Sequence, residues 1–274
     1  MKIGIALSGG GVKAAAHIGV LKALEENNIK IDIIGGTSAG SIVATLYAMG
    51  YTINEILDIF NTFAKSIMGG SPKYLLSALR SKNGILGTRS GENIEMAINE
   101  VAKNKNIKNI NEITMPLVIP AVDLKQGKKY VFTNTHLDES YYINDINIGK
   151  AVRASSSFPV VFAPCEFKDY QFLDGGILDN IPTDEVKKIG ADKVISVMFP
   201  TREEKKNNMY SILLKSIDIM SNKIAEQGLK YSDTIIDVDI ENTKIFKVDK
   251  MQECYNIGYE TTIKNMNNIK KAIC

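Results

Sequence analysis

Two short apolar runs near the start of the chain are each followed, after a glycine-rich loop, by a stretch with helical periodicity. The apolar runs are Lys2–Ser8 and Ile31–Ile34, and the helical stretches are Val12–Asn27 and Ala39–Met49. Strands that alternate with helices in this way favour a parallel sheet with helices on both of its faces. The sequence therefore predicts an α/β fold built on a largely parallel central sheet.

The composition permits one large domain and excludes several kinds of site. The chain has 274 residues, of which 45% are hydrophobic, and this is enough to bury a core. The 33 Lys and Arg residues nearly balance the 31 Asp and Glu residues, so a nucleic-acid partner is not expected. Three scattered cysteines and two histidines argue against a disulfide framework, a thiolate metal cluster and a zinc site built on imidazoles. We expect no metal and no cofactor.

The rest of the chain adds strand and helix patterns without an internal repeat or a Pro- or Gly-rich linker. Further strands are predicted at Met115–Asp123, Lys129–Thr133, Tyr170–Leu173, Lys193–Val197 and Ile235–Asp239. A charged break at Thr201–Asn208 precedes a long helical pattern, and Glu253–Lys271 has the pattern of a last helix. We predict one domain, with a main part over residues 1–200 and a helical extension over residues 201–274 that packs against it.

Neither the N-terminus nor the longest uncharged stretch has the pattern of a targeting or membrane-spanning segment. The apolar run within Met1–Ser8 is too short for a secretory signal, and no small-residue cleavage site follows it. Ile33–Asn54 is uncharged and long enough to cross a bilayer, but its first half is a strand that ends in a turn. We therefore expect a cytoplasmic protein.

The motif G-x-S-x-G occurs at Gly36-Thr37-Ser38-Ala39-Gly40, between a predicted strand and a predicted helix. A sharp turn at this place exposes the serine hydroxyl at the start of the helix, and glycines on both sides allow a close approach of the backbone. Ser38 is therefore a candidate nucleophile. The alternative is an ordinary glycine-rich turn in which the serine caps the helix.

A serine hydroxyl needs a neighbouring base, and the two histidines of this chain are poor candidates. His17 lies on the first predicted helix, where we expect a partly buried imidazole with satisfied hydrogen bonds, and His136 lies in a polar loop. No histidine follows His136, so the chain order of serine, acid and histidine found in α/β-hydrolases is absent. A nucleophilic Ser38 would need another base.

Asp174 is the best candidate for a base that acts without histidine. It follows a predicted apolar strand and precedes Gly175-Gly176, which permit a tight turn and the close approach of another segment. A carboxylate that touches the hydroxyl and is shielded from water can keep enough basicity to accept its proton. The sequence leaves a second interpretation equally open, in which Asp174 forms an Asx turn at the end of a strand.

The loop Gly9-Gly10-Gly11 joins the first predicted strand to the first predicted helix, where free backbone N–H groups can bind an anion. The string that begins at Gly9 also fits G-x-G-x-x-G/A, a fingerprint of dinucleotide-binding proteins. That interpretation requires an acidic residue at the end of the second strand, whereas Asp32 lies at its beginning. We expect an oxyanion hole instead, because adjacent parallel strands bring this loop and Ser38 to the same edge of the sheet.

Together these motifs resemble those of the patatin-like phospholipase family, over roughly Ile5 to Ile189. The residues that carry the resemblance are Gly9-Gly10-Gly11-Val12-Lys13 with His17-Ile18-Gly19-Val20-Leu21, then Gly36-Thr37-Ser38-Ala39-Gly40, Ala154-Ser155-Ser156-Ser157-Phe158-Pro159, and Asp174-Gly175-Gly176 with Asn180 and Pro182. The chain departs from the pattern at Ala14, where the family often has glycine, and this departure concerns the shape of the first loop.

The resemblance implies a three-layer α/β/α sandwich, with residues 1–200 as a patatin-like catalytic domain. It also implies a serine hydrolase that cleaves carboxylic esters of phospholipids or other lipids through an acyl-enzyme, without a metal. The nucleophile would be Ser38 and the general base Asp174. The oxyanion hole would be formed by Gly9, Gly10 and Gly11, and the two turns would be supported by Gly36, Gly40, Gly175 and Gly176. The alternative is a regulatory protein of the same fold that binds a lipid or acyl ligand without turnover.

A lipid substrate implies contact with a membrane or micelle surface. The segment 65–82 combines apolar residues with nearby positive charges, at Lys65, Lys73, Arg80 and Lys82. Such a segment can form a mobile lid or an interfacial helix. The composition favours the other interpretation, an ordinary amphipathic helix packed on the core. We expect transient peripheral contact with a membrane surface in addition to the cytoplasmic location.

Overall fold

The computed structural model of the protein describes residues 1–68, 89–200, 209–240 and 248–273, and in these ranges nine strands form one sheet. The strands are β1 (Ile3–Leu7), β2 (Ile33–Gly36), β3 (Leu117–Asp123), β4 (Lys128–Thr133), β5 (Tyr142–Ile143), β6 (Cys165–Phe167), β7 (Tyr170–Asp174), β8 (Lys193–Met198) and β9 (Thr234–Asp237). The α-helices are α1 (Ala15–Glu26), α2 (Ala39–Ala48), α3 (Ile53–Met68), α4 (Glu92–Asn104), α5 (Ile148–Ser155), α6 (Thr183–Lys188), α7 (Met209–Leu229) and α8 (Met251–Ile273). Short 3-10 helices lie at Gly11–Ala14, Ile110–Glu112, Gly175–Ile177 and Val248–Lys250.

The centre of the sheet is parallel, as the alternation of strands and helices predicts. Its order is β5-β4-β3-β2-β1-β8-β9, and β1 pairs in parallel with both β2 and β8. The pairs β2/β3 and β8/β9 are also parallel. The antiparallel part consists of the β3–β4 hairpin and of β7, which pairs with β3 and with β6.

Side chains of β1 show how the sheet separates two cores. Successive residues of a strand point to opposite faces. Ile5 and Leu7 join a larger cluster with side chains of α1, α2, α3 and α8, whereas Ala6 joins a smaller one. That smaller cluster contains Val186 of α6 and Ala225 of α7. Helices therefore cover both faces, and the three-layer α/β/α sandwich implied by the resemblance is confirmed.

The C-terminal residues contribute to the same sheet and to one of its helical layers. β9, which overlaps the strand predicted at Ile235–Asp239, extends the sheet in parallel beyond β8. α8 packs so closely against α1 that the backbones of the two helices lie next to each other. The Tyr259 hydroxyl donates to Glu26 Oε2 at 2.7 Å. Residues 201–208 and 241–247 lie outside the described ranges, and the division of the chain after residue 200 stays a prediction.

Two predictions concern segments that could cross or contact a membrane. Within the described ranges, every helix is too short or too polar to span a bilayer. The uncharged stretch Ile33–Asn54 comprises β2, a turn and α2. The segment 65–82 is predicted as a lid or an amphipathic helix, and its residues 69–82 lie outside the described residues.

The close contact of α1 and α8 predicts a large effect of a single methyl group. A Cβ added to Gly258 would lie 2.1 Å from the Ala16 carbonyl oxygen, so α8 would have to move away from α1. We expect Gly258→Ala to lower the free energy of unfolding, measured by urea denaturation, by about 1–3 kcal/mol because overpacking has this typical cost.

Gly228→Ala in α7 is the matched control. Its added Cβ would meet only the Ile181 carbonyl oxygen, at 3.4 Å, which is an ordinary contact. Because alanine favours a helix over glycine, this control should be neutral or should stabilise the protein by up to about 1 kcal/mol. Equal destabilisation by both substitutions would contradict the proposed packing.

Candidate active site

Ser38 occupies a strained turn between β2 and α2. Its φ of 53° and ψ of −127° are unusual for a residue with a side chain. The turn is compact because a Cβ on Gly36 would lie 2.3 Å from the Gly40 carbonyl oxygen, and one on Gly40 would lie 2.5 Å from the Ser8 carbonyl oxygen. The motif glycines are therefore required by the geometry of the turn.

The Ser38 hydroxyl does not cap α2. The Ser38 N–H donates to Ser155 Oγ at 3.1 Å, and the Ser38 carbonyl accepts from Ser41 Oγ at 2.6 Å. These bonds fix the backbone and leave the hydroxyl to the cavity that Ser38 lines. The alternative interpretation, in which the Ser38 side chain caps the helix, is therefore wrong.

Asp174 is the last residue of β7 and is 2% exposed. Its N–H donates to the Ser157 carbonyl at 3.1 Å, and its Oδ1 accepts from the Gly176 N–H at 2.8 Å. Oδ1 therefore forms the Asx turn, whereas Oδ2 is not used by that turn. Oδ2 is buried and has no hydrogen-bond partner among the described residues. Gly175 is required here because a Cβ would lie 2.3 Å from the Pro120 carbonyl oxygen.

The two candidate residues meet because β2 and β7 run toward each other along one edge of β3. β2 pairs in parallel with Leu117 and Val118, and β7 pairs antiparallel with residues 121–123. β4 occupies the opposite edge of β3 along the same stretch. The carboxyl ends of β2 and β7 therefore face each other, and Ser38 and Asp174 line one cavity.

Burial makes Asp174 an unusually basic carboxylate. It raises the pKa of Asp174 from 3.8 to about 7, and hydrogen bonding from the Ser38 hydroxyl and the Gly176 N–H opposes this rise. The hydroxyl thus lies beside the carboxylate, although it does not complete a hydrogen bond of normal length and angle to Oδ2. Catalytic hydrogen bonds are often loose without substrate, so this geometry suits a base.

The glycine loop lies next to both residues, and its three glycines differ in what they do. The Gly9 N–H donates to the carbonyl oxygen and to Oδ1 of Asn180, both at 3.2 Å, so it is not the free oxyanion donor that the sequence predicts. The N–H groups of Gly10 and Gly11 have no acceptor among the described residues. The Phe199 ring packs beneath Gly10, where a Cβ would lie 2.7 Å from it.

The cavity has a volume of about 90 Å³ and a mixed lining. Its apolar lining residues are Ala39, Ile42, Phe63, Ile94, Phe158 and Phe162. Its polar lining residues are Ser156, Asn180, Asp218 and Ser221, and Ser38, Asp174 and the glycine loop complete the lining. A hydroxyl, a basic carboxylate and free amides in a cavity with apolar lining residues can carry out acyl transfer to serine from a substrate with an apolar acyl group.

Neither histidine lines this cavity. His17 is fully buried, its Nε2 lies 2.8 Å from the Ser8 carbonyl oxygen, and burial lowers its pKa to about 4. It is therefore neutral near pH 7 and donates through Nε2–H. The His136 side chain is 81% exposed. His136 is exposed in a loop as predicted, whereas His17 is fully rather than partly buried and its Nδ1 has no hydrogen-bond partner among the described residues.

Several residues of the site have no functional signal of their own in the sequence. Ser155 supports the Ser38 backbone, and the run that contains it resembles the family pattern without indicating this contact. Asp218 and Ser221 come from α7, far along the chain. Thr37 is visible only as the variable position of a motif, yet its hydroxyl donates to the Asp179 carbonyl at 2.8 Å.

Comparisons with known proteins show what this chain is similar to. A family model described as patatin-like phospholipase matches residues 5–187. Lysophospholipase NTE1 of Scheffersomyces stipitis is 27% identical over 239 residues, or 81% of this chain. Patatin-like phospholipase domain-containing protein 6 of Homo sapiens is 29% identical over 204 residues, or 74% of this chain. The chain spans only 13% and 14% of the lengths of these two relatives.

A solved structure shows the same fold. The crystal structure of VipD from Legionella pneumophila superposes with a TM-score of 0.54 at 17% sequence identity, and the match covers 97% of this chain and 67% of that one. At this identity the similarity concerns the arrangement of strands and helices.

The raised pKa of Asp174 predicts that its contribution to stability depends on pH. The folded state holds the proton up to about pH 7, whereas the unfolded chain releases it near pH 3.8, so the free energy of unfolding falls as the pH rises between these values. Between pH 5 and pH 8, the free energy of unfolding of the native protein should fall by about 2–3 kcal/mol relative to that of Asp174→Asn, as measured by urea denaturation.

Asp169→Asn, at an exposed aspartate in a turn, is the control and should keep the fall in the free energy of unfolding over this pH range, because Asp174 is still present. A constant difference between the native protein and Asp174→Asn would mean that Asp174 is not buried in the way described.

Proposed function

The chain belongs to the patatin-like phospholipase family, whose model covers residues 5–187, and on this basis we propose that it is a serine hydrolase of lipid acyl esters. The observation that carries the proposal is the placement of Ser38 beside a buried Asp174 whose pKa is raised to about 7, in a cavity with apolar lining residues. The substrates would be carboxylic esters of phospholipids or other lipids. The names of the curated relatives support this substrate class.

In the first half of the reaction, Asp174 accepts the Ser38 hydroxyl proton while Oγ forms a bond to the ester carbonyl carbon. The carbonyl electron pair moves onto the oxygen, which the N–H groups of Gly10 and Gly11 would stabilise. Such a donor typically lowers the barrier by about 3 kcal/mol. The tetrahedral intermediate then expels the alcohol, which takes the proton from Asp174, and an acyl-Ser38 enzyme remains.

In the second half, a water molecule attacks the acyl carbon and gives its proton to Asp174. The intermediate collapses with loss of Ser38 Oγ, which recovers the proton, and the fatty acid leaves. A carboxyl group with a pKa near 7 suits both halves, because it accepts a proton from an alcohol or water and returns it to the leaving oxygen. The strained Ser38 turn keeps Oγ at the cavity during both attacks.

The alternative is a regulatory protein that binds a lipid or acyl ligand in the same cavity without turnover. A fluorophosphonate probe separates the two, because it forms a covalent bond only with an activated serine. We expect labelling of the native protein and hydrolysis of p-nitrophenyl butyrate. Both should fall by at least about a thousandfold in Ser38→Ala, since the nucleophile is lost.

Ser140→Ala, at an exposed loop serine, should be labelled like the native protein. An unlabelled native protein that still binds fatty acid would support the regulatory alternative, and a labelled Ser38→Ala would refute the role of Ser38.

We also propose that the protein makes transient contact with a lipid surface through α7. Its exposed apolar side chains include Met209, Ile212, Leu213, Ile219 and Met220, which follow helical spacing and share one face. Other residues of α7, Asp218 and Ser221, line the cavity, so a substrate that enters from a lipid surface would pass this helix. A cytoplasmic location with peripheral membrane contact belongs to the same proposal, and the nearly balanced charge favours no nucleic-acid partner.

This contact predicts a loss of vesicle binding when the exposed face of α7 is made polar. Ile212→Ser with Ile219→Ser should weaken flotation with phosphatidylcholine vesicles about tenfold, because partial burial of two isoleucines in lipid is worth about 1.4 kcal/mol. Fluorophosphonate labelling should be unchanged. Met96→Ser with Leu124→Ser removes two apolar side chains that are exposed elsewhere and should not change flotation. Equal flotation of both double variants would exclude α7 as the contact.

A further inference from the structure

Asp179 links the nucleophile turn to the base turn through its backbone. Its carbonyl oxygen accepts from Thr37 Oγ1 at 2.8 Å, and Thr37 directly precedes Ser38. Its N–H donates to the Gly175 carbonyl at 2.8 Å, and Gly175 directly follows Asp174. One peptide segment therefore holds both turns, although Ser38 and Asp174 are not joined by a hydrogen bond of normal geometry.

Asn180 extends this linkage to the glycine loop and to the cavity wall. Its carbonyl oxygen and Oδ1 both accept from the Gly9 N–H at 3.2 Å. Its Nδ2 donates to Asn222 Oδ1 at 3.2 Å, and Asn222 Nδ2 reaches Asp218 Oδ1 at 3.4 Å. The pair Asp179-Asn180 thus contacts the nucleophile turn, the base turn, the glycine loop and α7.

A partly buried ion cluster fixes the side chain of Asp179. Lys129 Nζ lies 2.8 Å from Asp179 Oδ2, 2.7 Å from Glu185 Oε1 and 3.4 Å from Asp184 Oδ2. The fully buried Glu185 also accepts from the Tyr142 hydroxyl at 2.6 Å. The three carboxylates lie close enough together to hold a metal ion, and the Lys129 ammonium already contacts each of them. The cluster anchors Asp179 to β4.

We infer that Asp179 and Asn180 are positioning residues that set the distances between the Ser38 hydroxyl, the Asp174 carboxylate and the glycine amides. The inference rests on the proposed function. The three groups come from separate loops, and acyl transfer requires their placement to within about 0.5 Å. Contacts that tie all three loops to one segment, itself anchored by buried charges, provide such placement.

The bond from Thr37 tests this role with conservative substitutions. Thr37→Val removes the donor and keeps the branched shape, whereas Thr37→Ser keeps the donor. We expect kcat for p-nitrophenyl butyrate to fall about tenfold to a hundredfold in Thr37→Val with KM nearly unchanged, because loss of placement alone has effects of this size. Thr37→Ser should keep kcat within about threefold of the native value, as expected when its hydroxyl restores the bond.

Thr45→Val is the matched control, because Thr45 is also fully buried and its hydroxyl has no hydrogen-bond partner among the described residues. It should keep the native kcat. Melting temperatures of all three variants separate placement from stability, and the pH profile should keep the same acid limb, since Asp174 is untouched. Native kcat in Thr37→Val, or an equal loss in Thr45→Val, would overturn the inference.

Crystal structures give a readout that does not depend on turnover. We expect the distance from Ser38 Oγ to the Asp174 carboxylate to increase by at least about 0.5 Å in Thr37→Val, the tolerance of such a site, and not in Thr37→Ser. An unchanged distance would overturn the positioning role. A native protein that is neither labelled nor active refutes the proposed function instead, and the crystal structures then still decide whether Asp179 holds the two turns together.

Discussion

The site depends on a carboxylate that is buried without a cation beside it. Asp174 and Asp179 lie in one short segment and are both removed from water, but Lys129 pairs with Asp179, whereas no cation contacts Asp174 among the described residues. A buried charge without a partner is unfavourable, so Asp174 holds its proton to a higher pH than an exposed aspartate. The same burial that lowers stability raises the basicity of this carboxyl group, which is what a base for an alcohol needs. Burial also raises the pKa of Asp179 to about 7, so the proposed roles of the two aspartates differ by position: Asp174 lines the cavity with Ser38, whereas Asp179 contacts Lys129.

The topology explains how a serine and an aspartate can lie close together without a histidine between them. In a purely parallel sheet, neighbouring strand ends point in the same direction, and a histidine can bridge the lateral gap between a serine and an acid. Here β7 is antiparallel to β3 and occupies the edge that β2 leaves free, so the two ends approach head-on. Glycines at 36, 40 and 175 allow each turn to pack closely on its surroundings, against the carbonyl groups of Gly40, Ser8 and Pro120 respectively. The proximity of Ser38 and Asp174 in one cavity is a consequence of strand direction.

The parts of the site that the sequence predicts well are those formed by local chain geometry. Apolar runs, glycines and helical spacing are sufficient to predict β1, β2 and the turn at Ser38, because each of these patterns lies within a few residues of the sequence. The sequence left the role of Asp174 open, since its burial depends on strands that are distant in the chain. It also assigned the Gly9 N–H to an oxyanion, whereas Asn180, far along the chain, accepts it. The contact of Thr37 with Asp179 could not be predicted for the same reason.

The meeting of β2 and β7 also limits which changes of chain length the fold can accept. A strand advances about 3.3 Å per residue and alternates its faces. Insertion or deletion of one residue in either strand would therefore move the hydroxyl and the carboxylate too far for a hydrogen bond between them. It would also turn the side chains of that strand to the opposite faces of the sheet. Variation in length among related chains should accordingly concentrate in the connections outside these two strands, because the lengths of β2 and β7 set the distance between Ser38 and its proposed base.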